Sequence, residues 1–304
     1  MQTCSRDPAH SMIRDYLRRF YRLILPLLYG RKRFKLFQNA ALGYVSMRML
    51  TLASLTDYFA GFVRPIPIKA PFGKSALIVA PHQDDEAIGC GGALILQLRS
   101  GHSASVVMLH DGAGDFMAYG LSREAFNEKR NEESRRAAAS VAMEAPHFLN
   151  YRSLADHVTE AAADVRGIIN ERKVDALFVP FVLDAHPDHR TANRIVAEAL
   201  KGISWNVRVL GYEVWGLCIP NVVVVIDDVI EDKMRMIECF SLANSAIDYV
   251  HSTRGLNMFH SRMLGAGQCR YAERFFELPR QEYIELVEQV RTAETMPEEP
   301  VASR

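Results

Sequence analysis

Two short runs of the chain concentrate side chains that can do chemistry: Pro81-His82-Gln83-Asp84-Asp85-Glu86, and Asp184-Ala185-His186-Pro187-Asp188-His189. The first sets one imidazole beside three carboxylates. Neighbouring carboxylates repel and raise one another's pKa unless a cation or hydrogen bonds compensate. A divalent cation compensates directly, and His plus Asp is a partial zinc ligand set. A hydrolytic zinc site needs a third protein ligand and an open position for water, and the second run can supply that ligand. Two histidines and one aspartate leave room for water and substrate, the ion lowers the pKa of its water toward neutrality, and a carboxylate off the metal can take the proton. The competing reading is structural: carboxylates near Glu86 cap the amides of a following helix, and Pro187 marks a turn before a helix near Arg190. Capping needs one acidic side chain, not three and a histidine, although Asp85 could serve both purposes.

The elements that must hold these runs alternate. Ser75 to Ala80 (SALIVA) is a short apolar run of buried-strand type, and Ala87 to Arg99 suits a helix. Further strands are expected at Ser105 to Leu109, His147 to Asn150 and Asp175 to Phe181, and helices at Arg123 to Met143, Val158 to Arg172 and Thr191 to Leu200. Val207 to Val214 and Asn221 to Ile226 read as later strands, with an antiparallel addition expected there, and Val229 to Phe240 as a helix. The pattern implies an α/β fold, a Rossmann-like, mostly parallel sheet with helices on both faces. In such sheets ligands bind beyond the carboxyl ends of the strands, where both charged runs fall. Gly89, Gly91 and Gly92 invite a dinucleotide reading, but they come after the charged run, and close helix packing accounts for them better. His110-Asp111-Gly112 and Asp115 either line the same pocket or form a turn. Trp205 and Trp215 read as core or pocket-wall residues, and His102, His147, His157, His251 and His260 as structural or surface residues.

The two runs resemble the PHxDDE and HPDH motifs of the PIG-L, or LmbE-like, N-acetylglucosaminyl deacetylases, in the family's order and over about residues 75–275. Softer similarities are Arg130 with Glu133, and Tyr271-Ala272-Glu273 followed by Phe275. The resemblance implies a metal held by His82, Asp85 and His189, with zinc expected and iron(II) an alternative for such ligands. It implies Asp84 as general base, and His186 as general acid or oxyanion stabiliser with Asp188 orienting it. Arg130 is a substrate-binding candidate by the same resemblance, and Asp111 is carried with it as a pocket candidate. The implied reaction removes the acetyl group of an N-acetylglucosamine-type conjugate whose aglycone is open, lipid-linked ones included. An amidase acting on another acyl group and a non-catalytic, membrane-associated sugar-binding protein are the alternatives. The sequence departs from the common pattern at Gln83, where proline is usual, and in an N-terminal extension of about 70 residues.

Composition sets the remaining expectations. The 304 residues carry 36 acidic and 36 basic side chains and are 49% hydrophobic, as in ordinary globular proteins. Residues 1–50 hold ten Lys or Arg against Asp7 and Asp15. Arg14, Arg18 and Arg22 recur at helical spacing beside Ile13, Leu17, Phe20 and Ile24, the pattern of a basic amphipathic helix. That helix either packs its stripe on the main domain or touches an anionic membrane; no nucleic-acid-reading motif accompanies it. Expected boundaries are 1–70 for a basic, mainly helical extension, 71–292 for the deacetylase-like domain and 293–304 for a flexible tail. Five dispersed cysteines with no CxxC pair suggest a reducing compartment. With no secretory h-region and no apolar run of about 18 residues, the expected place is the cytoplasm, at most peripheral to the inner membrane face. Oligomeric state is left open.

Overall fold

The computed structural model describes residues 65–114, 116–265 and 267–295. The expected basic helix and membrane contact of residues 1–50, Asp115, and the tail beyond 295 lie outside the described residues. Strands β1 (Ile66–Ile68), β2 (Ser75–Ala80), β3 (Ser103–His110), β4 (His147–Tyr151), β5 (Ala176–Pro180), β6 (Arg208–Tyr212), β7 (Val222–Val225) and β8 (Ala272–Pro279) form one sheet in the order β1-β7-β8-β6-β5-β2-β3-β4. Helices are α1 (Asp85–Arg99), α2 (Arg123–Ser140), α3 (Val158–Arg172), α4 (Pro187–Lys201), α5 (Ile230–Glu238), α6 (Ser241–Ala246), α7 (Tyr249–Ser261) and α8 (Arg280–Thr295).

Alternation along the strands divides the interior in two. Ala76, Ile78 and Ala80 of β2 face one core with α1, α2 and α5, whereas Leu77 and Val79 face another with α3, α4 and α8. Burying both faces requires the nearly continuous apolar strands that β2 and β5 supply. Register confirms the neighbours: β2 runs parallel to β3 (Ala76↔Ala104) and to β5 (Ala76↔Ala176). The chain proceeds from β2 outward through β3 and β4, then returns to place β5 on the other side of β2. That reversal makes a topological switch point, the crevice where α/β sheets bind ligands, and the two charged runs leave β2 and β5 on either side of it.

Three expectations are corrected. The antiparallel strand is β8, paired with β6 (Arg208↔Pro279) and β7 (Val222↔Phe275), and not the segments at 207–226, whose β6 runs parallel to β5. Because β8 runs backwards, its first residues, Ala272 and Glu273, lie at the same edge as the carboxyl ends of the other strands. Helix α4 begins at Pro187 rather than Thr191, because His186 caps it with a proline in the first turn. Strand β1 pairs with β7 (Ile66↔Val222), so the sheet starts inside the segment assigned to the extension. Among the described residues no helix is long and apolar enough to cross a membrane.

Candidate metal centre

The loop after β2 is held in an unusual shape. Asp84 occupies the position before α1 with φ 117° and ψ −27°, in the left-handed region that glycine favours, and its side chain makes no capping hydrogen bond. A non-glycine residue held there is strained, and such strain collects at functional sites. The cap reading therefore fails for Asp84. Asp85, buried, accepts the His82 amide on Oδ2 (2.8 Å), and that oxygen also lies 3.4 Å from His82 Nδ1 and 3.2 Å from His189 Nε2. Two imidazoles from different strand ends thus converge on one carboxylate oxygen.

Each imidazole is backed on its other nitrogen by a second carboxylate. His82 Nε2 meets Asp188 Oδ2 at 3.1 Å, and His189 Nδ1 lies 3.2 Å from Asp184 Oδ1. A carboxylate behind a histidine fixes its tautomer and raises its basicity, the usual support for a metal-ligating histidine. His189 is fully buried, yet neither of its ring nitrogens completes a hydrogen bond of ordinary geometry. Such orphaned atoms are costly in a protein interior, and a cation would engage Nε2. His82, His186 and His189 each offer a nitrogen within 4.8 Å of the others. His186 spends Nδ1 on the Asp188 amide (3.2 Å), which leaves Nε2 free.

The electrostatics follow from burial and pairing. Burial favours neutral His82, but Asp188 and Asp85 outweigh it and raise its pKa to about 9. His189 rises to about 10 against the same penalty, through Asp85 and Asp184. Asp85 is driven far down, because His189 and His82 overcome its burial. Asp84 behaves differently: burial lifts it to about 6, with Arg130 pulling the other way. Burial also raises Glu86 to about 8. His186 is lowered by burial and by the two nearby imidazoles. The centre therefore offers carboxylates and imidazoles suited to a cation, with one carboxylate, Asp84, off the converging set and titrating near neutrality.

Two expected roles change in the structure. The Asp188 carboxylate, expected to orient His186, lies 3.9 Å from His186 Nδ1 and pairs instead with His82; it is the Asp188 amide that fixes His186. Asp111, expected to meet substrate, is buried, with both oxygens held by Arg123 (2.7 and 2.8 Å) and one also by the Ala113 amide, so it shapes the loop after β3. Arg130 does reach the centre: it donates to the Gln83 carbonyl and lies 3.4 Å from Asp84 Oδ2. Glu133, named with it in the resemblance, accepts instead from Ser241 and the Leu242 amide. Gln83 hydrogen-bonds Asn131 of α2 (2.9 Å), a link proline cannot make. Residues without an assigned role also enter. His110 stacks edge-on to His82 at 5.3 Å. Asp184 Oδ2 accepts the Trp215 and Gly216 amides (both 3.0 Å), tying the loop after β6 to the support of His189. Trp215, half exposed, stands edge-on to Tyr249, while Trp205 bonds the Val174 carbonyl far from this edge.

Residues 77–200 match the family model PIG-L, GlcNAc-PI de-N-acetylase. A diacetylchitobiose deacetylase of Thermococcus kodakarensis is 27% identical over 139 residues, which cover 44% of this chain. The match spans about half of that relative, 52% of its length. An N,N'-diacetylchitobiose deacetylase from Pyrococcus horikoshii, solved with an inhibitor, superposes with a TM-score of 0.62 at 23% identity, covering 76% of this chain and 93% of that one. The 4-carboxy-2-hydroxymuconate hydratase GalB of Pseudomonas putida superposes with a TM-score of 0.56 at 21% identity, covering 68% and 96%. At those identities the superpositions show the fold, and the hydratase shows that this fold serves more than one reaction. Residues 77–200, the segment that carries both charged motifs, are thus similar to the PIG-L, or LmbE-like, family.

Proposed function

We propose that the protein is a zinc-dependent hydrolase that removes the acetyl group from an N-acetylglucosamine-type conjugate, giving acetate and the free amine. The observation that carries the reading is the convergence of His82 Nδ1 and His189 Nε2 on Asp85 Oδ2, with Asp84 beside them and outside the set. His82, Asp85 and His189 would hold the ion; iron(II) suits the same ligands. When bound, the ion supplies Lewis acidity toward the amide carbonyl and lowers the pKa of water. Asp84, poised near neutrality, accepts the proton of the attacking water. His186 keeps Nδ1 on the Asp188 amide, so Nε2 is the ring atom that donates to the oxyanion developing on the acetyl carbon. Arg130 holds the Gln83 carbonyl and the Asp84 carboxylate in place and forms one wall for substrate.

The amino-sugar substrate is supported by the family match and by the chitobiose deacetylase relative. Cytoplasmic placement, and contact of residues 1–50 with an anionic membrane, belong to the same proposal. Vesicle flotation with and without residues 1–50 tests the contact, and equal partitioning removes it.

The primary test is zinc bound per chain after reconstitution, compared with His82→Ala and His189→Ala, followed by acetate release from a panel of acetylated amino-sugar conjugates. A single hydrolytic site implies about one ion per wild-type chain and none in either variant. A wild type that binds no zinc removes the mechanism at its root. Release of a larger acid would instead indicate an amidase of another conjugate, and turnover with no acid released would indicate chemistry like that of the hydratase.

A further inference from the structure

Helix α1 is broken inside its own length. Cys90 has φ −143° and ψ 20°, so the helix is two short pieces joined at this residue. A break orphans carbonyls at the end of the first piece and amides at the start of the second. One buried ion pair takes members of both sets. Lys233 Nζ, from α5, donates to the Ile88 carbonyl at 2.9 Å. Glu273, from β8, accepts the Gly92 amide at 2.7 Å and the Ala93 amide at 2.8 Å. The two charges meet at 2.7 Å with side chains 0% and 1% exposed, and Asn257 of α7 takes a further Lys233 proton at 3.0 Å. Each charge has the sign its helix end favours, a cation on the carbonyl end and an anion on the amide end. The break also lets backbone approach: a Cβ on Gly92 would come within 2.6 Å of Ile226 Cγ2 and 2.9 Å of Glu273 Oε1.

The first piece of α1 is little more than a turn, and it starts with Asp85. Its direction decides where the Asp85 carboxylate and the strained Asp84 loop lie relative to His189, which arrives from α4. We infer that Lys233 and Glu273 are positioning residues that fix the direction of this turn from behind, so that Asp84 and Asp85 meet His82 and His189 in register. The inference rests on the proposed metal centre. A pair serving only stability is a poorer account, since apolar residues of similar volume often match or exceed a buried ion pair in stability. Apolar side chains could not take the Ile88 carbonyl or the Gly92 and Ala93 amides, and an unbroken helix would point its first turn elsewhere.

The test uses the full chain with Lys233→Met/Glu273→Gln. Zinc affinity is read by competition with a chromophoric chelator, and amide hydrogen exchange of residues 84–89 is read in metal-free protein. The expected result is zinc binding weaker by about 10- to 100-fold, the range for residues that support metal ligands, with faster exchange in 84–89 and unchanged protection in β5 and α3. Cooperative melting with wild-type zinc affinity and wild-type exchange overturns the inference and leaves the pair a stability element. Should the double variant not melt cooperatively, Glu273→Gln alone carries the same two readouts with the same opposed outcomes. A wild type that binds no zinc fails the metal reading itself, and the exchange result then still decides whether the pair holds the turn.

Discussion

The crevice between β2 and β5 and the flank where β8 meets α1 both bury charge, and they treat it in opposite ways. On the β8 flank the Lys233–Glu273 pair satisfies itself and the backbone around it. Lys233 is shared among Glu273, Asn257 and the Ile88 carbonyl, and Arg274 Nε and Nη2 both donate to Glu213 Oε1 (2.9 and 2.6 Å). At the crevice, both His189 nitrogens lie 3.2 Å from a carboxylate oxygen without completing an ordinary hydrogen bond, and Asp84 sits desolvated and strained. Burial of charge alone therefore does not mark a site. Nor do unmatched atoms mark one by themselves, since Glu213 Oε2 and both His260 nitrogens also lack an ordinary hydrogen bond on the β8 flank; what sets the crevice apart is that its unmatched His189 nitrogen converges with His82 on one carboxylate oxygen.

The largest effect should come from Asp84→Asn, which keeps size and removes the proposed base. General bases contribute about 10²- to 10⁴-fold, so kcat should fall in that range while zinc content stays at the wild-type level, as read by acetate release and elemental analysis. Retained turnover would take the base role from Asp84. The opposite pole is Glu213→Gln, which should spare zinc binding and lose stability. Leaving Arg274 buried without its carboxylate costs about 3–5 kcal/mol, the range for breaking a buried pair from one side, measurable by urea unfolding. Burial pushes the Glu213 carboxyl up, but His260 and Arg274 more than reverse this and hold it below its ordinary 4.5. A lowered folded pKa stabilises above the unfolded value and ceases to as pH falls through the folded one. The gap between wild type and Glu213→Gln should therefore be widest above pH 4.5 and narrow in acid; a gap independent of pH would show that ionisation of Glu213 is not what stabilises.

Between these poles lies Asp184→Asn. Asp184 supports His189 and also anchors the Trp215 and Gly216 amides. Its loss should weaken zinc by about 10- to 100-fold. Asparagine can still accept those two amides on one oxygen but loses the His186 amide, which Asp184 Oδ1 accepts at 2.9 Å, so the loop should loosen while the fold persists. If zinc affinity is unchanged, the contrast between matched and unmatched charge does not extend to the residues behind the ligands.

What the sequence reveals follows the same division. The crevice is legible because its chemistry lies in two contiguous runs at strand ends, and the alternating elements place those ends together. The β8 flank is much less so: Glu273 falls in the softer Tyr271-Ala272-Glu273 similarity, but its partner Lys233 stands 40 residues away on an element without a motif, and Cys90 looks like an ordinary helical position. Strand β8 itself is hidden, since Arg274 and Glu277 interrupt the apolar run and are explained only by their partners Glu213 and Arg208. Asp188 shows a finer limit. Its spacing from His186 puts the two on one helix turn, but the direction of its side chain is set by His82, which comes from another strand.

The smallest effect sharpens the comparison on the crevice side. Ser122 precedes α2 in extended conformation and accepts the Ala125 amide on its hydroxyl at 3.1 Å, a cap at the start of the helix that carries Arg130. Ser122→Ala should cost about 1 kcal/mol, the usual loss for such a cap, and lower the melting temperature by a few degrees. Arg130 lies two helical turns beyond the cap and is held at its far end by the Gln83 carbonyl and Asp84, while Asn131 beside it bonds Gln83. Those contacts tie the middle of α2 to the loop independently of its first turn. Fraying at Ser122 should therefore leave zinc affinity and kcat within about twofold, since capping acts within the first turn. A loss of activity larger than the loss of stability would mean that Arg130 is positioned by the whole helix and not by its contacts with the motif loop.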